Sequence, residues 1–302
     1  MTLNIRTNPC SKATFSAAGY AAFRPSYPPK LFQTVLSYHR GPKNRALDLG
    51  CGHGLISRAL SPHFTSITGT DPSEPMVKQA TDSSTSFKNL SFHVGSAEDL
   101  SEIEDGSLDM VVAGQAAHWF DYGKVWPQIA RKLRKGGTLA FWGYKDNYFV
   151  DYPTATKILD KFCYGESKET MGPYWEQPGR NILRDLMREV VPPEGEWEEV
   201  QRIEYQPKCE GKGSGEGEVL MCGKMKLGAM EGYTRTFSAY HTWMSRHEGV
   251  KALKDGGEGD IVDEMFKKML EAEPDWRAKG EAWRDLEVEN EWGSVILLAR
   301  RK

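Results

Sequence analysis

The sequence predicts an α/β fold in which helices cover both faces of a mostly parallel, doubly wound sheet. Between residues 45 and 143, short apolar runs alternate with amphipathic segments of helical length. Alternation at this spacing is typical of parallel strands joined by right-handed crossovers. After residue 144 the alternation stops, and aromatic-rich segments of helical character follow. These later segments predict a helical cap built from insertions.

Each element follows from a local pattern. The apolar runs at 45–50, 66–71, 90–95, 107–114 and 138–143 predict five strands, and the segments at 55–64, 73–80 and 124–133 predict helices. In the second half, 151–190 and 230–285 are mainly helical, whereas 198–207 and 292–302 predict two late strands. A late strand pair joined by a long insertion predicts that the sheet is completed in antiparallel fashion.

Composition limits the classes of partner. The chain has 39 basic and 42 acidic side chains and a net charge of -3, without the clustered positive charge that nucleic acid or an anionic membrane attracts. Its five cysteines are scattered and form no CxxC pair, which argues against a disulfide framework or a metal site. Residues 1–15 lack the apolar run of a signal peptide. We therefore expect a cytoplasmic protein without metal, nucleic-acid or membrane partners.

The most informative motif is ALDLGCGHG at 46–54. A predicted strand delivers Asp48, and the glycines that follow allow a tight turn, because a Cβ would keep the backbone from a ligand. The acid would repel a pyrophosphate but attract an ammonium group, and GxGxG differs from the GxGxxG of dinucleotide sites. Both details favour S-adenosylmethionine over NAD. The expected contacts are Asp48, Gly50, Cys51 and Gly52.

Further candidate contacts occur at the ends of the next three strands. A carboxylate about 20 residues after such glycines accepts ribose hydroxyls, which is the position of Asp71. The simpler alternatives are a plain strand–helix turn, an N-cap at Asp71 and a solvated acid at Glu98. Because ligands bind at the carboxyl ends of parallel strands, the order of these residues favours cofactor contacts. The expected contacts are Asp71, Pro72, Met76, Ser96, Ala97, Glu98 and Gln115.

These motifs resemble the class I S-adenosylmethionine-dependent methyltransferases through ALDLGCGHG, TGTDPS, GSAEDL and AHWFD. Longer strings resemble the fungal trans-aconitate methyltransferase group: YAAFRPSYP (20–28), FWGYKDNYFVDYP (141–153), GPYWEQPGR (172–180) and YTRTFSAYHTW (233–243). The resemblance implies a Rossmann-like sheet with an antiparallel last strand and a helical cap. It also implies S-adenosyl-L-methionine as methyl donor and a small carboxylic acid as acceptor.

On this basis we expect one methyltransferase domain over residues 1–302. Its parts are an N-terminal gate (1–40), a cofactor-binding core (41–150), a cap with the late strand (151–290) and the last strand (291–302). The gate, with Tyr20 and Arg24, is expected to fold over the cofactor. The sequence does not distinguish a monomer from a homodimer.

The acceptor side is interpreted from the chemistry of methyl transfer. A carboxylate is ionised at neutral pH and needs only positioning, whereas a phenol or alcohol needs help in losing its proton. Arginine binds a carboxylate with two parallel hydrogen bonds, and Arg24, Arg180 and Arg235 all lie in the strings above. The alternative is that each arginine pairs with a nearby acid such as Glu176 or Asp151.

His118, at the end of the fourth predicted strand, is the candidate catalytic residue. It is expected to act as a base for a hydroxyl acceptor or to donate a hydrogen bond to a carboxylate, unless it is simply packed in the core. Tyr144, Trp175 and Tyr240 are expected to contact substrate. The leading hypothesis is esterification of a small polycarboxylic acid such as trans-aconitate. The alternatives are O-methylation of a larger secondary metabolite with His118 as base, and a cofactor-binding scaffold without transfer.

Overall fold

The computed structural model describes residues 24–302, whose central feature is a nine-stranded mixed sheet. The strands are β1 (Arg45–Leu49), β2 (Ser66–Asp71), β3 (Leu90–Val94), β4 (Leu108–Gly114), β5 (Leu133–Phe149), β6 (Trp197–Gln206), β7 (Glu216–Gly217), β8 (Cys222–Lys226) and β9 (Glu287–Arg301). Their order is β3-β2-β1-β4-β5-β9-β6-β7, and β8 pairs with the first residues of β9. β1 to β5 are mutually parallel, and β9 is antiparallel to β5, β6 and β8. The predicted fold class is therefore confirmed.

The helices follow the strands as expected for a doubly wound sheet. They are α1 (Pro29–Tyr38), α2 (Leu55–Leu60), α3 (Glu74–Asp82), α4 (Tyr122–Lys132), α5 (Pro153–Tyr164), α6 (Gly179–Arg184), α7 (Leu227–Thr234), α8 (Ser238–Arg246), α9 (Ile261–Ala272) and α10 (Pro274–Arg277). Between residues 45 and 143 the predicted elements agree with these bounds, apart from β5. Within residues 24–302, no helix combines the length and apolar character needed to cross a bilayer.

β5 is much longer than the predicted strand at 138–143. It begins at Leu133, where the sequence predicts the end of a helix, and it continues to Phe149. The extension depends on a distant partner, because Asn147 to Phe149 pair with Asn290 to Trp292 of β9 after an irregularity in the register. A strand prolonged by such pairing leaves no local signal in its own sequence.

Apolar side chains fill both faces of the sheet. Successive residues of a strand point to opposite faces, so Val111 packs on one side of β4 and Val112 on the other. Both faces are covered, which explains why all seven residues of β4 are buried.

The cap has an apolar cluster of its own, between α5 and α7 to α10, with Phe149, Phe266 and Trp276 fully buried at its centre. Ser238 is the first residue of α8, and Thr236 precedes it. Both residues line the same cavity as the glycine loop that follows β1. The cap therefore covers the carboxyl ends of the parallel strands, where ligands bind in this class of sheet.

The predicted N-terminal gate lies partly outside the described residues, and Tyr20 is among those outside. Residues 29–38 form the helix α1, which buries Leu31, Val35 and Tyr38 against the sheet. Its end is fixed by a hydrogen bond from Arg300 Nη2 to the Tyr38 carbonyl oxygen at 2.9 Å. Of the gate, Arg24 and Tyr27 line the cleft described next.

Candidate active site

A cleft opens at the carboxyl ends of β1 and β4, where the strand order changes direction. It holds about 1160 Å³, counting its open mouth. The glycine loop, the end of β2, the ends of β4 and β5, and the cap all contribute to its walls. Open α/β sheets bind their ligands at this switch point.

The glycine loop forms the floor of the cleft. Gly50 and Gly52 have φ values of 64° and 52°, which side chains with a Cβ rarely adopt. A Cβ on Gly50 would lie 2.5 Å from Ala116 Cβ, whereas a Cβ on Gly52 would meet nothing within 4 Å. Gly50 is thus needed for packing, and Gly52 keeps the backbone open to a ligand in the cleft.

Asp71, at the end of β2, joins the glycine loop to the next helix. Its Oδ2 accepts a hydrogen bond from Gly52 N at 2.9 Å, and its Oδ1 accepts one from Ser73 N at 2.9 Å. Burial raises the pKa of Asp71, although both hydrogen bonds lower it. A carboxylate has about four acceptor positions, so two are left for the hydroxyls of a ribose. Asp71 lines the cleft together with the predicted Cys51 and Met76.

Asp48 is not on the cleft surface. It is fully buried, and its Oδ2 accepts hydrogen bonds from Ser57 N at 3.1 Å and Ser57 Oγ at 2.7 Å. Its Oδ1 is buried without a hydrogen-bond partner in the chain from residue 24 onward. Burial raises the pKa of Asp48 to about 7, while the hydrogen bonds from Ser57 lower it. The direct contact with an ammonium group that the sequence predicts is not provided by this arrangement.

We expect Asp48→Asn to stabilise the cofactor-free protein increasingly as the pH rises from 5 to 8. The folded carboxyl keeps its proton up to about pH 7, whereas in the unfolded chain it ionises near 3.8. Stability from this protonation is complete below 3.8 and lost as the pH rises through 7. Asparagine stays neutral throughout, so the gain above pH 7 should be on the order of 2–4 kcal/mol. Thermal unfolding of both proteins across this pH range measures the gain. A difference in the free energy of unfolding that does not change with pH would contradict the raised pKa of Asp48.

Gln115 connects the ends of β4 and β5. Its Nε2 donates to the Tyr144 carbonyl oxygen at 2.8 Å, and its Oε1 accepts from Tyr144 N at 2.8 Å. The side-chain amide thus adds one more rung to the ladder between the two strands. Gln115 has a φ of 55°, and both residues line the cleft.

Besides Asp48, four other predicted cofactor contacts do not line the cleft. Glu98 Oε1 instead accepts a hydrogen bond from Asp121 N at 2.9 Å, which fixes the turn before α4. Pro72 is exposed beside the cleft rather than in its wall. The four are Pro72, Ser96, Ala97 and Glu98.

Arg180 lies in the cleft at the start of α6. Its Nη2 pairs with Asp146 Oδ1, which also accepts a hydrogen bond from the Tyr164 hydroxyl. Its guanidinium lies over the Trp175 ring, 4.1 Å from the ring centroid. Nε of Arg180 is buried and has no hydrogen-bond partner within the described part of the chain. Asp146 and Trp175 thus fix the guanidinium while one donor is left for a ligand.

His118 and Arg24 lie at the same end of the cleft as Arg180. Burial, followed by the guanidiniums of Arg180 and Arg24, lowers the pKa of His118 to about 3. The imidazole is therefore neutral at pH 7, and its buried Nδ1 has no hydrogen-bond partner among residues 24–302. Arg24 also donates to the Thr236 carbonyl oxygen at 3.4 Å, which links this wall to the cap. Two guanidiniums and a neutral imidazole make this end of the cleft favourable for an anion.

Arg235 and Tyr240 do not line the cleft, and their predicted contact with substrate stays a prediction. Arg235 pairs with both oxygens of Asp260, at 2.9 and 3.0 Å, and with Asp263 at 2.7 Å. The Tyr240 hydroxyl donates to Asp260 Oδ2 at 2.7 Å. Asp260 also caps α9. These buried charges stabilise the cap, as the alternative of a local acid partner anticipates for an arginine.

Sequence reasoning missed Asp146. Its signal is a charged pair, Lys145-Asp146, inside a run that otherwise continues as the long strand β5. Among residues 24–302 no group of three histidine, cysteine or acidic side chains is arranged to hold a metal ion.

Comparisons with known proteins agree with this geometry. Residues 47–141 match the family model described as a methyltransferase domain. The yeast (Saccharomyces cerevisiae) protein CRG1, assigned as an S-adenosylmethionine-dependent methyltransferase, is 37% identical over 172 residues, which cover 56% of this chain and 58% of that protein. A protein of Dictyostelium discoideum assigned to the methyltransferases is 24% identical over 253 residues, 84% of this chain and 82% of its own length.

A solved structure extends the comparison to the fold. A protein of Anaeromyxobacter dehalogenans assigned as a type II methyltransferase superposes with a TM-score of 0.65 at 25% identity, covering 92% of this chain and 98% of its own. The match therefore includes the cap as well as the sheet. From the switch-point cleft, the open glycine loop and these relatives, we conclude that residues 47–141 form a methyltransferase domain, whose cofactor is S-adenosyl-L-methionine.

Proposed function

We propose that this protein transfers a methyl group to a carboxylate oxygen of a small polycarboxylic acid such as trans-aconitate. The observation that carries the proposal is the pair of guanidiniums, Arg24 and Arg180, beside a neutral His118 at one end of the cleft. Asp146 pairs with Arg180, and the guanidinium of Arg24 adds a second positive charge to the lining of the cleft. An acceptor with at least two carboxylates could present one to the donor while the arginines hold another.

The position of the Arg180 guanidinium supports a role in binding a carboxylate. The Trp175 ring and Asp146 leave its guanidinium little freedom, so little side-chain entropy would be lost on binding. Its buried Nε is left without a protein partner within the described residues, and a ligand oxygen would satisfy it. Lysine could not reproduce this planar arrangement of donors.

The state of His118 argues against a hydroxyl acceptor. A base with a pKa of about 3 accepts a proton poorly from a phenol, whose pKa is near 10. A neutral imidazole can still donate a hydrogen bond to a carboxylate oxygen and orient it. His118 is therefore proposed to position the acceptor rather than to remove a proton.

The proposed chemistry moves no proton through the protein. S-adenosylmethionine, when bound, supplies an electrophilic methyl group. An acceptor carboxylate would already be ionised at pH 7, so it would need no base: its oxygen would form the new bond to the methyl group, and the bond to the donor sulfur would break to leave a neutral thioether. The chain contributes alignment through Arg24, Arg180 and His118. Tyr144 and Trp175 wall the cleft and exclude water.

The test is incubation of the purified protein with S-adenosylmethionine and a panel of trans-aconitate, cis-aconitate, citrate, isocitrate and phenolic acids, followed by mass spectrometry. We expect a gain of one methyl on a polycarboxylate, in a form that mild base removes. The acceptor kcat/KM should be nearly constant from pH 6 to 8, since the carboxylate stays ionised and His118, with a pKa near 3, stays neutral.

Other outcomes point to other functions. Base-stable methylation of a phenol, with a rate that rises with pH, would favour the hydroxyl acceptor of a larger metabolite. Cofactor binding without transfer to any compound would leave the cofactor site intact and favour a scaffold role.

A further inference from the structure

A second cavity, which we call the chamber, lies next to the cleft. The second half of β5, the helix α5 and Arg184 line it, and it holds about 1130 Å³ including its mouth. Asp146 and Tyr164 line the chamber, whereas Arg180 lines the cleft. The Asp146 carboxylate accepts hydrogen bonds from both the Tyr164 hydroxyl and the Arg180 guanidinium. These side chains therefore form the wall between the two cavities.

Lys145 gives the chamber an unpaired cation. It follows Tyr144 in β5, and because successive strand residues point to opposite faces, Tyr144 lines the cleft and Lys145 the chamber. Lys145 is half-buried, yet its ammonium has no hydrogen-bond or ion-pair partner among the described residues. Burial lowers its pKa, Asp146 opposes this, and Arg184 lowers the pKa further. A partly desolvated cation of this kind gains from a bound anion.

Arg184 is the second cation of the chamber. Its guanidinium lies over the Tyr164 ring, 3.5 Å from the ring centroid. Its acid partners hold it at longer range, with Nη2 3.3 Å from Asp160 Oδ1 and Nε 3.7 Å from Asp146 Oδ2. Asp160 is largely exposed to water, which weakens that pair. The planar guanidinium therefore retains donors for a carboxylate.

The remaining lining explains which anion would fit. Lys157 and Lys161, exposed on α5, add positive charge at the rim, so four cations face two acids, Asp146 and Asp160. Leu159 and Phe237 supply apolar surface. Positive charge next to apolar walls suits an organic carboxylate better than a fully hydrated inorganic ion.

We propose that the chamber is a second ligand site, which binds a small organic carboxylate between Lys145 and Arg184. The wall of Asp146 and Tyr164 separates this ligand from the methyl donor. The site is therefore distinct from the acceptor end of the cleft, and it does not depend on which acceptor the cleft takes.

The test uses phthalate, an aromatic dicarboxylate, titrated by calorimetry into the full chain saturated with S-adenosylhomocysteine. We expect Lys145→Gln and Arg184→Gln each to weaken phthalate binding by ~10-fold or more, the effect of losing a charge-assisted hydrogen bond. Arg24→Gln, at a residue that lines the cleft and not the chamber, and Lys88→Gln, on the surface away from both cavities, should leave it within about threefold of the original affinity.

Each other outcome overturns the proposal. Loss of binding in Arg24→Gln with retention in Lys145→Gln would place the anion in the cleft. Loss in both variants would mean one ligand bridging the two cavities, and no binding at all would leave the chamber without this function. Inorganic phosphate, titrated in parallel, should bind more weakly than phthalate. Equal affinity would show that the apolar walls do not contribute to binding and would contradict a site for organic carboxylates. Unchanged cofactor affinity and melting temperature show that the variants are folded. Methyl transfer is assayed separately, so the proposed function of the cleft is tested independently of the chamber.

Discussion

Replacing Asp71 with alanine is expected to lower the affinity for S-adenosylmethionine at least ~100-fold while the chain stays folded. One cause is direct, because the carboxylate is proposed to accept the ribose hydroxyls, and charge-assisted hydrogen bonds are worth about 1.5–3 kcal/mol each. The other is indirect. Asp71 also accepts the Gly52 N–H at 2.9 Å, and without it the glycine loop loses the contact that fixes its open conformation.

The fold should survive this change for a physical reason. Burial already raises the pKa of Asp71, which means that the folded state pays a desolvation cost for its charge. Removing the charge also removes this desolvation cost, which offsets part of the stability lost with the two hydrogen bonds. Isothermal titration with the cofactor measures the affinity, and Asp82→Ala, an exposed acid on α3 that pairs only with Lys78 among the described residues, is the matched control. Unchanged affinity in Asp71→Ala would show that the ribose lies elsewhere.

Replacing Arg180 with glutamine is expected to raise the KM of the acceptor ~100-fold, or about 2.7 kcal/mol, without changing cofactor affinity. The guanidinium lies beside His118, at the end of the cleft where the acceptor is proposed to bind, and the glycine loop proposed to receive the cofactor is formed without it. Arg180→Lys should restore little, because lysine cannot donate two parallel hydrogen bonds or stack in the same way on Trp175.

The control for this prediction is an arginine that does not line the cleft. Arg188 is half-exposed and pairs with Asp185 and Glu204, so Arg188→Gln removes the same charge without touching the cleft. Steady-state kinetics with the acceptor varied, together with cofactor titration, separate the two ligands. Equal losses for acceptor and cofactor in Arg180→Gln would mean that Arg180 supports the whole cleft rather than the acceptor.

The sequence alone identified the sheet and the cofactor loop because both depend on local patterns. Apolar runs and glycine turns are read within about ten residues, and parallel strands bring their carboxyl ends to one edge by necessity. Asp71 and Gln115 could therefore be placed next to Gly50 and Gly52 before any contact was known. All four residues line the cleft, and their contacts with the cofactor stay predictions.

Tertiary structure alone decided which side chains face that site. Arg180 and Arg235 occur in equally aromatic segments of the sequence. Arg235, however, pairs with Asp260, 25 residues further along the chain, and this ion pair holds its side chain within the cap. Asp48 precedes the glycines as a ligand contact would, yet its side chain lies under α2 and bonds Ser57.

Asp146 and the length of β5 were likewise beyond prediction, because each depends on a partner remote in sequence. Asp146 reaches Arg180 across 34 residues, and the end of β5 pairs with the first half of β9. A charged side chain takes the partner that packing brings within about 3 Å, and local sequence does not contain that distance. The pattern of residues thus predicted the glycine loop and the strand ends that meet at the cleft, whereas packing between distant segments decided which charged side chains line it.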